Sequence, residues 1–192
     1  MKTKTKALAL FLSAVLLVVT TVFTTMAFLT DTDKVTNTFT VGKVEITLDE
    51  AKVDEYGVLV EGAKRVQENE YKLIPGHKYV KDPTVHVAEG SEDCWLFVKV
   101  ENGLVNAEAD EDKIADQMKD IGWTLVSGTA NIYSYKETVS AEEDVVVFKE
   151  FTLAGTADVA SLKDAQIVIT AYAVQADGFT TVELAWTAAG LQ

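Results

Sequence analysis

Two histidines, His77 and His86, and one cysteine, Cys94, are the side chains of this chain best suited to acid–base or nucleophilic chemistry. A cysteine nucleophile needs a neighbouring base to form its thiolate. His77 follows a proline–glycine pair in a predicted turn. His86 lies between two valines of a predicted strand, so its side chain points to the opposite face from theirs. Both histidines are therefore expected to face solvent. Cys94 opens an apolar run in which a thiol packs as a small apolar side chain. We therefore assign no catalytic role to these three residues.

The sequence motifs of common hydrolases and nucleotide-binding proteins are also missing, since the chain contains no HExxH, GxSxG, CxxC or Walker sequence. Two acidic segments, Asp31–Asp33 and Glu108–Asp112, offer oxygen ligands for Ca²⁺. Neither follows the EF-hand pattern of a central glycine and a final glutamate. Solvated acidic turns are the favoured interpretation, and Ca²⁺ binding is the weaker alternative. The sequence thus predicts no metal site, no cofactor and no enzymatic activity.

The chain is strongly acidic, with 17 basic and 30 acidic residues and a net charge of −13. The first 27 residues hold three lysines and no acid, so the remainder carries 14 − 30 = −16. Binding to nucleic acid needs clustered lysine and arginine, and Arg65 is the single arginine. Nucleic acid is therefore excluded as a partner. This acidity favours solubility and repulsion between copies, which salt or divalent cations relax.

Short segments of alternating polarity, which are typical of β-strands, must position these residues. An apolar stripe comes first, formed by Val35, Phe39 and Val41 with Asn37 as its one polar member. Lysine and threonines occupy the other phase, as in a half-buried strand. A second alternating segment follows directly over residues 44–48.

The remaining strands are predicted from apolar runs bounded by turn residues, at 56–60, 66–73, 84–88, 94–100, 123–126, 132–136, 145–153 and 166–175. The run Cys94–Val100 is apolar at nearly every position, which predicts a central strand covered on both faces. A tight turn is predicted at Ile74–His77. Helical spacing predicts two short helices, Asp110–Ile121 and one that is capped by Thr180 and Gly190. This pattern predicts a mainly β protein, an antiparallel β-sandwich of jelly-roll type with one or two short helices.

The N-terminus has the pattern of a secretory signal, in which three early lysines precede the apolar run Ala7–Phe23. Small residues end this signal helix, and cleavage is predicted between Ala27 and Phe28. The uncharged run Ala7–Thr30 is 24 residues long, so a retained membrane anchor is the alternative. Both interpretations place residues from Phe28 onward outside the cell. We predict a signal peptide at 1–27 and one domain at 28–192, secreted or at the cell surface.

Three motifs carry a resemblance to a known family. They are the cleavage-site segment Ala27–Asp33, the strand segment Asn37–Ile46 and the Pro-Gly segment Leu73–Asp82. With them the chain resembles secreted proteins with a SipW-type signal peptide, the family of the biofilm matrix protein TasA and of camelysin. The motifs cover 7 + 10 + 10 = 27 of the 192 residues, and the rest is similar mainly in its strand pattern.

The resemblance implies processing by a signal peptidase of SipW type, a jelly-roll domain and self-assembly into extracellular matrix fibres. In such fibres the segment after the cleavage site joins the sheet of the next subunit, which is β-strand addition. Carried over to this chain, residues 28–42 are the donor segment. Its stripe of Val35, Asn37, Phe39 and Val41 is the donor strand.

Two alternatives remain open from the sequence. The stripe is equally consistent with the first strand of its own sandwich, since an intramolecular and a donated strand look the same in sequence. The protein would then be a monomeric surface module for adhesion or ligand binding. Trp95, Trp123 and Trp186 are candidates for a sugar platform in such a module, although packing in the core is the favoured role for strand aromatics.

The first prediction concerns the exported form of the chain. Cleavage between Ala27 and Phe28 removes 27 of the 192 residues and leaves 165. Mass spectrometry of the N-terminus of secreted material is expected to find Phe28 as the first residue, because small residues are required just before the cleaved bond. Recovery of the chain in the membrane fraction with Met1 or Lys2 at its N-terminus would support the anchor instead.

Overall fold

The computed structural model of the chain describes residues 11–14 and 42–190. The chain divides into two compact units, Met1–Thr40 and Val41–Gln192. Residues 11–14 of the first unit are helical. No helix in these two described ranges is long and apolar enough to cross a bilayer.

Three sequence predictions fall outside the described residues and stay predictions. They are the signal helix apart from residues 11–14, the cleavage site at Ala27 and Phe28, and the donor stripe Val35, Asn37, Phe39 and Val41. The account of the fold below concerns the second unit.

The second unit is mainly β, with short strands paired antiparallel and two short helices, which confirms the predicted class. The elements follow in chain order as β1 Ile46–Asp49, β2 Lys78–Val80, β3 Thr84–Val87, β4 Cys94–Asn102, α1 Ile114–Ile121, β5 Trp123–Leu125, β6 Ile132–Tyr135, β7 Asp144–Val146, β8 Glu150–Thr152, β9 Ile167–Gln175 and α2 Val182–Ala189.

These strands form three sheets within residues 42–190. One sheet has the order β1-β3-β7, a second pairs β2 with β8, and the largest has the order β5-β6-β4-β9. Apolar side chains from all three sheets and from α1 join in one buried cluster. The fold is thus built around a shared core, as expected when each sheet has one apolar face.

Strand β4 is the centre of the largest sheet and is buried on both faces, as its sequence predicted. Leu96 and Val98 point into the shared core and are fully buried. Phe97 points to the opposite face, where its ring lies 5.1 Å from that of Trp186 on α2. Burying one such side chain contributes roughly 1.5–3 kcal/mol, so this strand is a main source of stability.

The predicted turn is also confirmed, and the predicted strands at 123–126 and 132–136 pair as a hairpin. In the turn at Ile74–His77, the amide of His77 donates to the carbonyl of Ile74 at 3.1 Å, and Gly76 adopts a φ of 75°. A positive φ at the third position is the requirement that selects glycine in a type II turn. The hairpin joins β5 to β6, where Trp123 pairs with Tyr135.

The predicted strands at 56–60 and 66–73 are wrong. This region forms isolated bridges, one between Val53 and Leu59 and one between Glu50 and Val66. The carboxylate of Asp54 accepts hydrogen bonds from the amides of Tyr56 and Val58, both at 2.9 Å. Such local side-chain bonds compete with a β-ladder and hold the segment as a turn.

The single strand predicted at 145–153 is divided between two sheets. β7 pairs with β3, whereas β8 pairs with β2. Val147 and Phe148 between them are fully buried. The run is apolar because it crosses the core between sheets, and an apolar run by itself does not distinguish that path from a continuous strand.

The helices differ from the prediction at their starts. α1 begins at Ile114 and not at Asp110. The N-cap of α2 is Thr181, not Thr180, and its hydroxyl accepts a hydrogen bond from the amide of Leu184 at 3.4 Å. Gly190 ends α2 in the left-handed conformation, as predicted.

A buried ion pair connects the irregular segment 50–73 to the rest of the second unit. Lys81 Nζ lies 2.5 Å from Glu50 Oε2, and the two side chains are 11% and 5% exposed. The amide of Asn69 donates to the other Glu50 oxygen at 2.9 Å. The ring of Tyr71 lies against the ammonium, and burial together with the nearby Glu50 charge raises the pKa of Tyr71 well above its ordinary range.

Removing the cation from this pair is expected to destabilise the protein. In Lys81→Met the Glu50 carboxylate stays buried without its partner, so we expect the free energy of unfolding to fall by about 3 kcal/mol. Urea unfolding followed by tryptophan fluorescence measures this change. The matched control is Lys99→Met, which removes an ion pair whose side chains are 35% and 51% exposed. There we expect a loss below about 1 kcal/mol, and equal losses in both variants would contradict the assignment.

Candidate functional site

The candidate site is the outer edge of β9, where the described residues supply no strand partner. β9 pairs with β4 along its full length, and within residues 42–190 no strand pairs with its other side. Its nine residues include no charged residue, no proline and no glycine. Natural edge strands are usually protected by such residues or kept short.

The pairing with β4 shows which residues of β9 have backbone N–H and C=O groups that point away from β4. Cys94 exchanges both backbone hydrogen bonds with Val139, at 2.9 and 2.8 Å, so its amide and carbonyl point away from β9. Opposite residues in an antiparallel pair alternate between bonded and non-bonded positions. Gln175, which faces Cys94, therefore points its own groups outward, and so does every second residue before it. These residues are Ile167, Ile169, Ala171, Ala173 and Gln175.

The side chains of the same alternate residues lie on the core face of the sheet. Ala171 is paired with Val98 and Ala173 with Leu96, and both β4 residues are fully buried. Ala171 and Ala173 contact the core cluster but are only half-buried. Ile167 and Ile169 are half-buried in the same way. The core is therefore open to solvent along β9.

Strand β1, which belongs to another sheet, is in contact with β9. Ile46 and Leu48 of β1, and Val44 before it, also contact the core and are half-buried. We call the region where these two edge strands meet the β1/β9 seam. Its half-buried apolar residues, which pack against the core, are Val44, Ile46, Leu48, Ile167, Ile169, Ala171 and Ala173.

The described part of the second unit begins at one end of the seam. A Cβ placed on Gly42 would lie 2.9 Å from Gln175 Nε2 and 3.1 Å from Glu92 Cγ, so the backbone of Gly42 is close to the last residue of β9. The predicted donor segment, which lies outside the described residues, connects to the body at this point.

The other strand edges within residues 42–190 differ from β9. β2, β5, β7 and β8 have three residues each, and β1 has four. β1 and β7 also carry the acidic side chains Asp49 and Asp144. Short length and charge both disfavour addition of a further strand. β9 is thus the long, uncharged edge of the described body.

The two aspartates hold the β1-β3-β7 sheet together through His86. His86 Nε2 lies 2.9 Å from Asp49 Oδ1, and Nδ1 lies 2.6 Å from Asp144 Oδ1. Arg65 reaches Asp49 from the segment 50–73 and also bonds Asp82 at 2.9 Å. The hydrogen bonds and charges of these carboxylates outweigh burial and raise the pKa of His86. Arg65 and His86 in turn lower the pKa of Asp49, although burial opposes them.

The candidate residues for chemistry are scattered, and each has a structural partner. Both histidines, which were expected to face solvent, are half-buried, and the His86 side chain is 25% exposed. His77 Nε2 lies 2.9 Å from the carbonyl of Tyr56. Cys94 is fully buried, as predicted, and burial raises the pKa of its thiol to about 11. The reactive thiolate is therefore disfavoured.

The acidic segment Glu108–Asp112 is held by protein groups. Asn102 Nδ2 donates to Glu108 Oε1 at 2.8 Å, and burial raises the pKa of Glu108. Thr152 donates to Asp112 Oδ2 at 2.6 Å. In the described ranges no group of three His, Cys, Asp or Glu side chains is placed to hold a metal ion. Asp31–Asp33 lies outside those ranges.

The predicted packing role of the aromatic residues holds for two tryptophans. Trp123 is 1% exposed and donates its indole N–H to the carbonyl of Val146 at 3.0 Å. Trp186 packs against Phe97. Both indole side chains therefore make contacts with other residues of the protein.

The sequence predicted β9 as a strand but did not identify its edge as a site. The one signal in the sequence is composition, because a run from Ile167 to Gln175 without charge is suited to burial on both sides. Comparison with known proteins adds no assignment, since no protein-family model, no curated protein and no solved structure matches the chain.

The His86 cluster gives a prediction for the dependence of stability on pH. A raised pKa in the folded state means that the His86 contribution is complete below its ordinary pKa of 6.5 and is lost as pH rises through the folded value. The lowered pKa of Asp49 acts oppositely, because its contribution is present above 3.8 and lost as pH falls through the folded value.

The variant His86→Gln has no imidazole ring, so residue 86 no longer titrates. We expect the free energy of unfolding of the wild type to exceed that of the variant by about 1 kcal/mol near pH 5.5, and the difference to shrink above pH 6.5. Urea unfolding at intervals from pH 5 to pH 9 measures this difference. A difference that grows with pH would show that the pKa of His86 is lowered in the folded state, and a difference that does not change with pH would show that His86 acts only through packing.

Proposed function

We propose that this protein is a secreted structural protein of the bacterial cell surface or biofilm matrix, which assembles into fibres by donor-strand exchange. Its body would be a jelly-roll-like sandwich with the β1/β9 seam as the acceptor. The observation that carries the proposal is the outer edge of β9, a nine-residue strand with no partner on that side within residues 42–190.

An added strand would satisfy this edge in two ways. It would bond to the amides and carbonyls of the five outward-facing residues, each bond contributing roughly 0.5–1.5 kcal/mol net. Its alternate side chains would enter the seam and cover half-buried residues such as Ile46 and Ile169. Backbone bonds and apolar contacts together are the usual basis of binding by β-strand addition.

The chain supplies a suitable strand of its own. Val35, Asn37, Phe39 and Val41 form an alternating stripe just before Gly42, and Gly42 lies at the end of the seam. If the stripe fills the seam of its own body, the product is a closed monomer. If it enters the seam of a sister molecule, each copy offers one donor and one acceptor, and such head-to-tail contacts extend into a filament.

Export and cleavage fit this assembly. An uncut signal would hold the donor at the membrane, whereas cleavage between Ala27 and Phe28 by a signal peptidase of SipW type would release it. The net charge of −16 on the remainder keeps copies apart at low salt, and screening outside the cell would favour assembly. The resemblance of the N-terminal motifs to the TasA and camelysin family supports the same function.

The monomeric adhesion or ligand-binding module remains the second candidate. One observation favours it, namely an open groove at the far end of the largest sheet, lined in part by Asn102, Glu108, Met118 and Tyr133. Its buried carboxyl group and apolar wall suit a small amphipathic ligand better than a polymer contact.

Assembly of the exported chain tests the proposal. The chain that begins at Phe28 is expected to form filaments at physiological ionic strength, visible by electron microscopy and recovered by sedimentation. Ile169→Lys should abolish them, because a charge at the acceptor edge blocks strand addition. The fold should persist, since residue 169 is only half-buried and a lysine there can reach solvent.

The matched control is Leu125→Lys at the opposite edge of the same sheet, where Leu125 is 47% exposed. This variant is expected to assemble like the wild type. Circular dichroism and thermal unfolding of both variants confirm that they are folded. Monomers of the wild type under all conditions, with and without Ca²⁺, would leave the monomeric module as the better account.

A further inference from the structure

A lysine, a glutamate and an asparagine meet at one carboxylate in the second unit. Lys81 Nζ lies 2.5 Å from Glu50 Oε2, and Asn69 Nδ2 donates to the other oxygen, Oε1, at 2.9 Å. The same carboxylate therefore holds the amine of a lysine and the amide of an asparagine. These are the two groups that combine when an amide cross-link forms between side chains. We call the three residues the Lys–Glu–Asn triad.

Backbone groups fix the orientation of the Asn69 side chain. Its Oδ1 accepts a hydrogen bond from the amide of Val53 at 3.1 Å, and its Nδ2 also donates to the carbonyl of Ala51 at 2.9 Å. A backbone N–H only donates and a carbonyl only accepts, so these bonds distinguish the oxygen from the nitrogen. The Val53 N–H is thus placed to stabilise the negative charge that develops on Oδ1 when a nucleophile attacks Cγ. The nitrogen that would leave is the one bonded to Glu50.

Water is largely excluded from the triad. The side chains of Lys81 and Glu50 are 11% and 5% exposed, and the ring of Tyr71 covers the ammonium with its centre 5.9 Å from Nζ. Loss of hydration disfavours the charged forms of amines and carboxyl groups, which favours transfer of a proton between them. Such a transfer produces the neutral amine, the form in which lysine is a nucleophile.

From this arrangement we infer that Lys81 and Asn69 form an amide bond within the chain, with Glu50 as the catalytic acid and base. Glu50 takes a proton from the Lys81 ammonium, and Nζ attacks Cγ of Asn69. The Nζ–Cγ bond forms, Glu50 passes its proton to Nδ2, and the Cγ–Nδ2 bond breaks. A second proton from Nζ leaves with the ammonia as ammonium. One ammonium side chain and one primary amide thus become a secondary amide and an ammonium ion, with no oxidant, reductant or cofactor.

The bond supplies a covalent link that cysteine chemistry does not supply here. Cys94 is the only cysteine of the chain, so no disulfide forms within it. The amide bond joins the irregular segment 50–73 to the residue that follows β2, and unlike a disulfide it resists reduction. The ion pair between Lys81 and Glu50 is then the state before the bond forms. This inference goes beyond the proposed function and does not depend on strand exchange.

The intact mass of the exported chain tests the bond. Because the reaction releases ammonia, we expect the folded chain to be lighter by one ammonia than the sequence that starts at its measured N-terminus. After tryptic digestion the peptide Val66–Lys72 should be joined to the peptide Tyr79–Lys99, since trypsin does not cleave after an acylated lysine such as Lys81. A full mass, in folded chain incubated until its mass is constant, would overturn the inference.

Two variants separate the reaction from the fold. Lys81→Arg keeps a positive charge beside Glu50, but its guanidinium does not give up a proton and so provides no nucleophile. Glu50→Gln keeps the shape of the side chain and removes the group that carries the proton. Both variants are expected to retain the full mass, with circular dichroism to show that they are folded. The matched control is Lys99→Arg at the exposed pair with Glu101, which should lose ammonia like the wild type.

The variants also exclude another source of the mass loss. Ammonia is lost when an asparagine cyclises on its own backbone, for which Asn102 before Gly103 has the suitable sequence. A loss that persists in Lys81→Arg would place the reaction elsewhere and overturn the inference. A joined peptide in Glu50→Gln would overturn the catalytic role of Glu50. None of these measurements involves filaments, so failure of the proposed function and failure of this inference are distinguished.

Discussion

The backbone amides and carbonyls of a β-strand need hydrogen-bond partners, and within residues 42–190 no strand supplies them on the outer side of β9. Backbone amides and carbonyls need partners wherever water is excluded, and an apolar edge strand excludes water as soon as it is covered. Ile167, Ile169, Ala171, Ala173 and Gln175 present these groups together with half-buried side chains. The open side of the core and the proposed assembly both follow from this one strand.

The polar clusters of the body lie away from this edge and hold its other parts in place. Glu50 and Lys81 attach the irregular segment 50–73, and His86 joins β1 and β7 to β3. By fixing β1, the His86 cluster also fixes one wall of the seam. His86, which at first suggested chemistry, therefore serves to hold β1 in place. In the proposed assembly a rigid acceptor would bind a strand with less loss of entropy.

Local sequence pattern predicted strands and turns correctly where one physical signal dominated. It predicted them incorrectly where two signals competed. Cys94–Val100 is apolar throughout and became the central strand, and Ile74–His77 formed the expected turn. Residues 56–60 have a strand-like composition, yet Asp54 captures their amides. The run 145–153 is apolar because it passes through the core from one sheet to another, which sequence does not distinguish from a single strand.

The sequence by itself determined the class of the fold, the burial of Cys94 and the central place of β4, because alternation and apolar runs depend only on the faces that a strand must bury. It also predicted the export signal and the donor stripe. Only the tertiary structure decided that β9 is the last strand of its sheet within residues 42–190, that Ala171 and Ala173 pair with Val98 and Leu96, and that Gly42 lies beside Gln175. These depend on which strands pair across the chain, and neighbours distant in sequence are not encoded in any local pattern.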